Sequence, residues 1–144
     1  SQVTALKASG FLGLILVSLI VYIDASVMVQ LPLLPPMPLV IILVALLGLA
    51  NALCWPAIWP LALQDLGGYT KIAGAILVMG IIGGAIFPLL YGYLAEVINL
   101  SNEAQGITAT AKSGNQLTYS MLLPAYLMIL FFAIKGHKYR SWSK

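Results

Sequence analysis

A chain of 144 residues that is 61% hydrophobic and 8% charged, with mean hydropathy +1.00, cannot cover a soluble surface, since an ordinary globular domain carries roughly a quarter charged residues. Its formal charge of +3 is no nucleic-acid signature, because the basic residues neither line a groove nor alternate with stacking aromatics. One cysteine, Cys54, excludes an internal disulfide and a multi-cysteine metal site. What remains is an all-α, polytopic membrane protein, forming a single membrane domain whose first partner is the lipid bilayer. No cofactor, metal or nucleic-acid partner is expected. Hydrolase and kinase motifs are absent, so an enzyme has no support.

The opening residues SQVTALKASG hold one lysine and no secretory cleavage region. They also lack an initiator methionine, the pattern of a fragment or a processed piece. A spanning helix needs about 20 mostly apolar residues. Four segments meet that need: about 8–31, 39–63, 72–97 and 117–134. Pro32, Pro35, Pro36 and Pro38 separate the first two, since proline lacks an amide donor and restrains the residue before it from helix. Gly67, Gly68 and Thr70 break the second span from the third. The polar stretch 99–115 is the one sizeable loop, and 135–144 is a basic-aromatic tail suited to the cytoplasmic leaflet.

Four spans put both termini on one side. Lys7, Lys71, Lys135, Lys138, Arg140 and Lys144 then share a face, with only Lys112 opposite. The excess of lysine and arginine marks the cytoplasmic side. The expected location is therefore the cytoplasmic (inner or plasma) membrane, with both ends of this segment inside.

Several residues suit chemistry. Asn51 lies midway along the second span, where an amide needs a partner from another helix or from a cavity. Trp55 and Trp59 follow at intervals of four, so the three lie along one side of the helix. An amide beside an indole suits a sugar, which offers hydroxyls and an apolar C–H face. Two other roles fit as well: Asn51 joining helices, and Trp59 anchoring the cytoplasmic interface. Pro56 and Pro60 each remove a helical hydrogen bond, so a kink or local unwinding is expected, either static or in the service of movement. Gly80, Gly83 and Gly84 offer a smooth surface with a GxxxG pair, suited to close helix contact. The four carboxylates, Asp24, Asp65, Glu96 and Glu103, all fall near span ends or in loops. His137 has no second histidine or cysteine near it.

The run NALCWPAIWPLALQDLGGYTKIAGAILVMGIIGGAIFPLLYGYLAEV resembles the second-half signature of the fucose/glucose/galactose–proton symporter family of the major facilitator superfamily. The resemblance rests on Trp55–Pro56, Leu61-Ala62-Leu63, Leu66 to Lys71 (LGGYTK), Val78-Met79, Ile82 to Ala85 (IGGA), Pro88 and Glu96. The ending LLPAYLMILFFAIKGHKYR is similar to the last helix and tail of the glucose/galactose members. The resemblance implies the ninth to twelfth helices of a twelve-helix transporter, with the tenth and eleventh facing the cavity. It favours Asn51 and Trp55 as sugar contacts and makes the third-span glycines hinge or packing points. Its implied partners are a sugar (a hexose or fucose), a coupling proton and the missing N-terminal helices, where the family's proton-coupling carboxylates lie. The family more often carries phenylalanine near Trp55 and Trp59, so its substrate preference is not carried over. Alternatives from the residues alone are a stand-alone four-helix scaffold or assembly protein and a transporter of a non-sugar solute.

Overall fold

The computed structural model describes residues 2–24, 26–32, 35–105 and 114–138. It is an all-α membrane protein with four segments long and apolar enough to cross a bilayer: Gln2–Tyr22, Leu39–Leu63, Gly67–Ala104 and Gly114–Lys138. The first is helix α1 (Gln2–Tyr22) and the second is α2 (Leu39–Leu63). The third comprises a 3₁₀ turn (Gly67–Tyr69), α3 (Thr70–Met79), a second 3₁₀ turn (Gly80–Ile82) and α4 (Gly83–Ala104). The fourth comprises α5 (Gly114–Thr118), a 3₁₀ turn (Tyr119–Leu122), α6 (Leu123–Ile134) and a closing turn (Gly136–Lys138).

The first helix starts earlier and stops earlier than the expected span 8–31. Asp24 accounts for the stop. Its Oδ1 accepts the Ser26 amide at 2.9 Å and its carbonyl accepts the Val27 amide at 3.2 Å, a local turn that competes with helix continuation. The chain then forms a two-stranded antiparallel ribbon, β1 (Met28–Val29) against β2 (Met37–Pro38), with Met28 opposite Pro38. The Leu39 amide donates to Val27 O at 2.8 Å and leads into α2.

Helices α1, α2 and α6 form the packed centre. Leu16, Val17, Ile20, Leu43, Leu47, Ala50 and Tyr126 make one buried cluster; Leu6, Cys54, Ala57, Leu61 and Ala133 make another. What brings these helices together is small residues. A Cβ added at Gly13 would lie 2.0 Å from Tyr126 Cε1, and one at Gly10 would lie 2.7 Å from Leu130 Cδ2. Ser9, fully buried beside them, donates to Ala50 O and lies 2.8 Å from Cys54 Sγ. Within lipid, helices gain little from apolarity and associate through close backbone approach and interhelical hydrogen bonds; this seam uses both.

Span three differs. Ile72, Ile76, Met79, Ile82, Leu89 and Tyr93 are all exposed. It joins the rest mainly at its ends. The turn from α2 carries Asp65 at φ 61° and Gly67 at φ 51° in the left-handed region, which short polar residues and glycine tolerate. At the other end Asn99 Oδ1 accepts the Gly114 amide at 2.8 Å, and Tyr91 OH donates to Asn115 O at 2.9 Å. Buried Gln116 then donates Nε2 to Ile20 O at 2.6 Å and Ile23 O at 2.5 Å. It thereby serves carbonyls at the end of α1 that lack a donor within their own helix. The expected polar loop 99–115 is shorter than foreseen, since Asn99 to Ala104 continue α4 and Gly114 and Asn115 open α5; residues 106–113, with Lys112, and Tyr139, Arg140 and Lys144 lie outside the described residues.

Candidate functional site

One face of α2 carries Asn51, Trp55, Ile58 and Ala62, at successive intervals of four, three and four residues. That spacing keeps them on one side of a helix. The neighbouring stripe, Leu43, Leu47, Ala50, Cys54, Ala57 and Leu61, about a quarter-turn around the helix, is the buried one. So the sequence's candidate residues stand beside the packed seam, not within it.

Asn51 is tied to the fourth span. The Tyr126 hydroxyl donates to its Oδ1 at 2.6 Å, while its Nδ2 makes no hydrogen bond with any described residue. The interhelical role foreseen for this amide is thus filled on one side, and its donors remain available on the other. Trp55 is 48% exposed and meets Trp59 edge to face, with ring centroids 5.6 Å apart and planes at 70°. Trp59 is half-buried and its Nε1 is covered by protein with no acceptor among the described residues. A tryptophan anchoring the membrane interface keeps that N–H toward headgroups and water. Trp59 here turns that N–H into protein and packs edge to face with Trp55.

Below Asn51 and Trp55 the same face of α2 borders a cleft of about 450 Å³. Ile58 and Ala62 form one wall, Leu77 and Phe87 of the third span a second, and Ala125, Met128, Ile129 and Phe132 of α6 a third. Ligand sites run about 300–1,000 Å³ and combine apolar walls with a few polar groups. This cleft has the volume and the apolar walls, and the nearest polar group on the same α2 face is Asn51.

Pro56 and Pro60 do not unwind α2: the helix runs unbroken from Leu39 to Leu63. Each nevertheless removes a donor, so Ala52 O and Pro56 O lose their usual i+4 partners. The local change of helix type falls instead at Gly80–Ile82, where the third span tightens to 3₁₀ between α3 and α4. A Cβ added at Gly80 or Gly84 would meet nothing within 4 Å, and at Gly83 only Phe87 of its own helix, at 3.9 Å. Among the described residues, then, the GxxxG surface touches no other helix, and close contact is made by Gly10 and Gly13 instead. The signal for that contact was present in the sequence as Ser9-Gly10-Phe11-Leu12-Gly13, a small-xxx-small pattern. Gln116 had no comparable signal. His137, in the closing turn, has Nδ1 3.0 Å from Phe132 O and its ring edge to face with Phe132.

Comparison with known proteins gives a consistent group of relatives. The chain is similar to the "putative glucose/galactose transporter" of Helicobacter pylori strain J99, at 36% identity over 92 residues, covering 63% of this chain and 20% of that protein. The "glucose/galactose transporter" of Brucella abortus biovar 1 is 35% identical over 92 residues, covering 64% of this chain and 19% of that protein. The protein of the same name in Brucella abortus strain 2308 is matched equally well. The chain therefore spans about a fifth of the length of the curated relatives it matches. No family model matches the chain, and no solved structure matches it.

Proposed function

We propose that this chain is the C-terminal part of a secondary active sugar transporter of the major facilitator type, moving a hexose together with a proton by alternating access. The observation that carries this reading is the 92-residue similarity to glucose/galactose transporters. The α2 face supports it: Asn51 offers amide donors, and Trp55, packed edge to face with Trp59, offers an exposed ring on which a sugar's C–H face can stack. In such a protein these residues form one wall of the substrate site. Pro56, Pro60, Gly80, Gly83 and Gly84 supply the bending and packing points as the two helical halves rock. The exposed third span fits the same reading, because the remaining helices of the transporter would cover it.

Four spans do not enclose a two-sided cavity, so transport belongs to the full-length protein. The lysine and arginine distribution supports a location in the cytoplasmic membrane with both ends of this segment inside. The test is uptake of labelled glucose and galactose by the full-length transporter in proteoliposomes, with and without an inward proton gradient. Uptake competed by hexoses and driven by the gradient is the expected result. Uptake of no hexose, or inhibition by none, would overturn the sugar assignment. Uptake indifferent to the proton gradient would overturn the coupling.

A further inference from the structure

We propose that the ribbon between the first two spans is an anchor seated in the lipid headgroup region, with its apolar side chains turned into the membrane surface. The α1 helix has 21 residues, about 31 Å at 1.5 Å per residue, which matches a hydrocarbon core of about 30 Å. Everything after Tyr22 therefore stands at the level of the headgroups, where a connecting loop ordinarily faces water and is polar. This one is not. Between Asp24 and Asp65 the sequence has no charged residue, and the connection reads SVMVQLPLLPPMP.

Most of its exposed side chains are apolar, with Ser26 and Gln30 the polar exceptions among the described residues. Met28 is 56% exposed and Leu31 37%, with Val27, Pro32, Pro35 and Pro36 exposed beside them. Outside water, such a segment must also satisfy its backbone. The ribbon does so in part, by pairing Met28 with Pro38 and Val29 with Met37, and by the bond from the Leu39 amide to Val27 O. Pro32, Pro35, Pro36 and Pro38 carry no amide hydrogen, so four donors that would need water are absent. Asp24, at the start of the turn, spends its Oδ1 on the Ser26 amide. An apolar surface with a donor-poor backbone, joined at both ends to membrane helices, is suited to the boundary between headgroups and acyl chains. The occupant of this surface is lipid, and the proposal is independent of which solute the protein carries.

Site-directed spin labelling tests it. The intact protein, with Cys54 replaced by serine, carries a single nitroxide in turn at M28C, L31C and E103C, and is reconstituted into phosphatidylcholine–phosphatidylglycerol liposomes. Glu103 lies near the end of α4, on the same side of the bundle as the ribbon, and serves as the aqueous reference. Collision rates with oxygen, which partitions into lipid, and with a water-soluble nickel chelate are then compared. The oxygen-to-nickel ratio is expected to be severalfold higher at positions 28 and 31 than at 103. A ratio equal to that at 103 would put the ribbon in water. Low collision rates with both reagents would put it beneath other protein. Either result overturns the proposal. Agreement between two labelled positions guards against a local disturbance at one of them.

Discussion

Substituting alanine for Gly13 introduces a methyl group where the structure has no room. The new Cβ would lie 2.0 Å from Tyr126 Cε1, 2.3 Å from Cδ1 and 2.5 Å from Cζ, far inside contact distance. Tyr126 is 2% exposed and cannot swing freely, and its hydroxyl is held by Asn51. Either α1 and α6 move apart or the ring shifts and gives up that bond. Overpacking of a well-packed site costs about 1–3 kcal/mol. Loss of an interhelical hydrogen bond within the membrane adds about 0.6 kcal/mol. Alanine's better helix propensity returns up to about 1 kcal/mol. The net expectation is about 2 kcal/mol, roughly a 30-fold loss in the folding equilibrium. Cys54 makes the assay simple, because it is the chain's one thiol and is buried: a thiol-reactive fluorogenic dye in detergent reports its exposure during thermal unfolding. Gly74→Ala is the control, as a Cβ there meets nothing within 4 Å, and should leave the midpoint unchanged or raise it. A Gly13→Ala midpoint equal to wild type, or an equal fall for Gly74→Ala, would refute the account of helix packing through Gly13. Adding Tyr126→Ala to Gly13→Ala should cost less than the two separate effects combined, because the methyl then enters the vacated space.

The other predictions concern polar contacts and transport. Gln116→Leu strips the carbonyls of Ile20 and Ile23, at and just beyond the end of α1, of their side-chain donor and should destabilise the protein by about 1–3 kcal/mol in the same unfolding assay, whereas an exposed change such as Gln105→Leu should not. In the full-length transporter, Asn51→Ala should raise the sugar concentration needed for half-maximal uptake more than Asp24→Asn does; equal effects would mean that the α2 face does not contact sugar. Trp55→Ala should weaken sugar binding more than Trp55→Phe, since phenylalanine retains a ring for stacking, and indistinguishable equilibrium binding would remove the stacking role. Gly84→Leu should lower uptake by obstructing a helix packed on the third span, and unchanged uptake would place lipid on that face.

Much of the architecture was legible because bilayer crossing imposes simple demands. An apolar run of about 20 residues has one stable conformation in hydrocarbon, since only a helix satisfies its backbone internally. Four such runs therefore meant four helices, and Pro32–Pro38 and Gly67–Gly68 marked where they are interrupted. The end of α1 was harder to place, because residues 23–31 remain largely apolar and the turn at Asp24, whose side chain bonds the Ser26 amide, stops the helix. Asn51, Trp55 and Trp59 stood out as polar or aromatic groups in an aliphatic helix. Their surroundings did not.

By itself the sequence determined the membrane setting, the number of spans, the helical class and the short list of unusual side chains, all of which follow from local composition. Only the tertiary structure decided which faces meet. Leucine, isoleucine and valine surround these helices, so hydrophobicity does not distinguish a packed face from a lipid-facing one. The third-span glycines therefore looked suited to close contact, while Gly10 and Gly13 of the first span were not singled out. The fold packs α6 against Gly10 and Gly13, leaves Gly80 and Gly84 open among the described residues, and gives Asn51 the hydroxyl of Tyr126, 75 residues away in the chain. Partners that distant are set by where the helices end and cross, which no local pattern encodes.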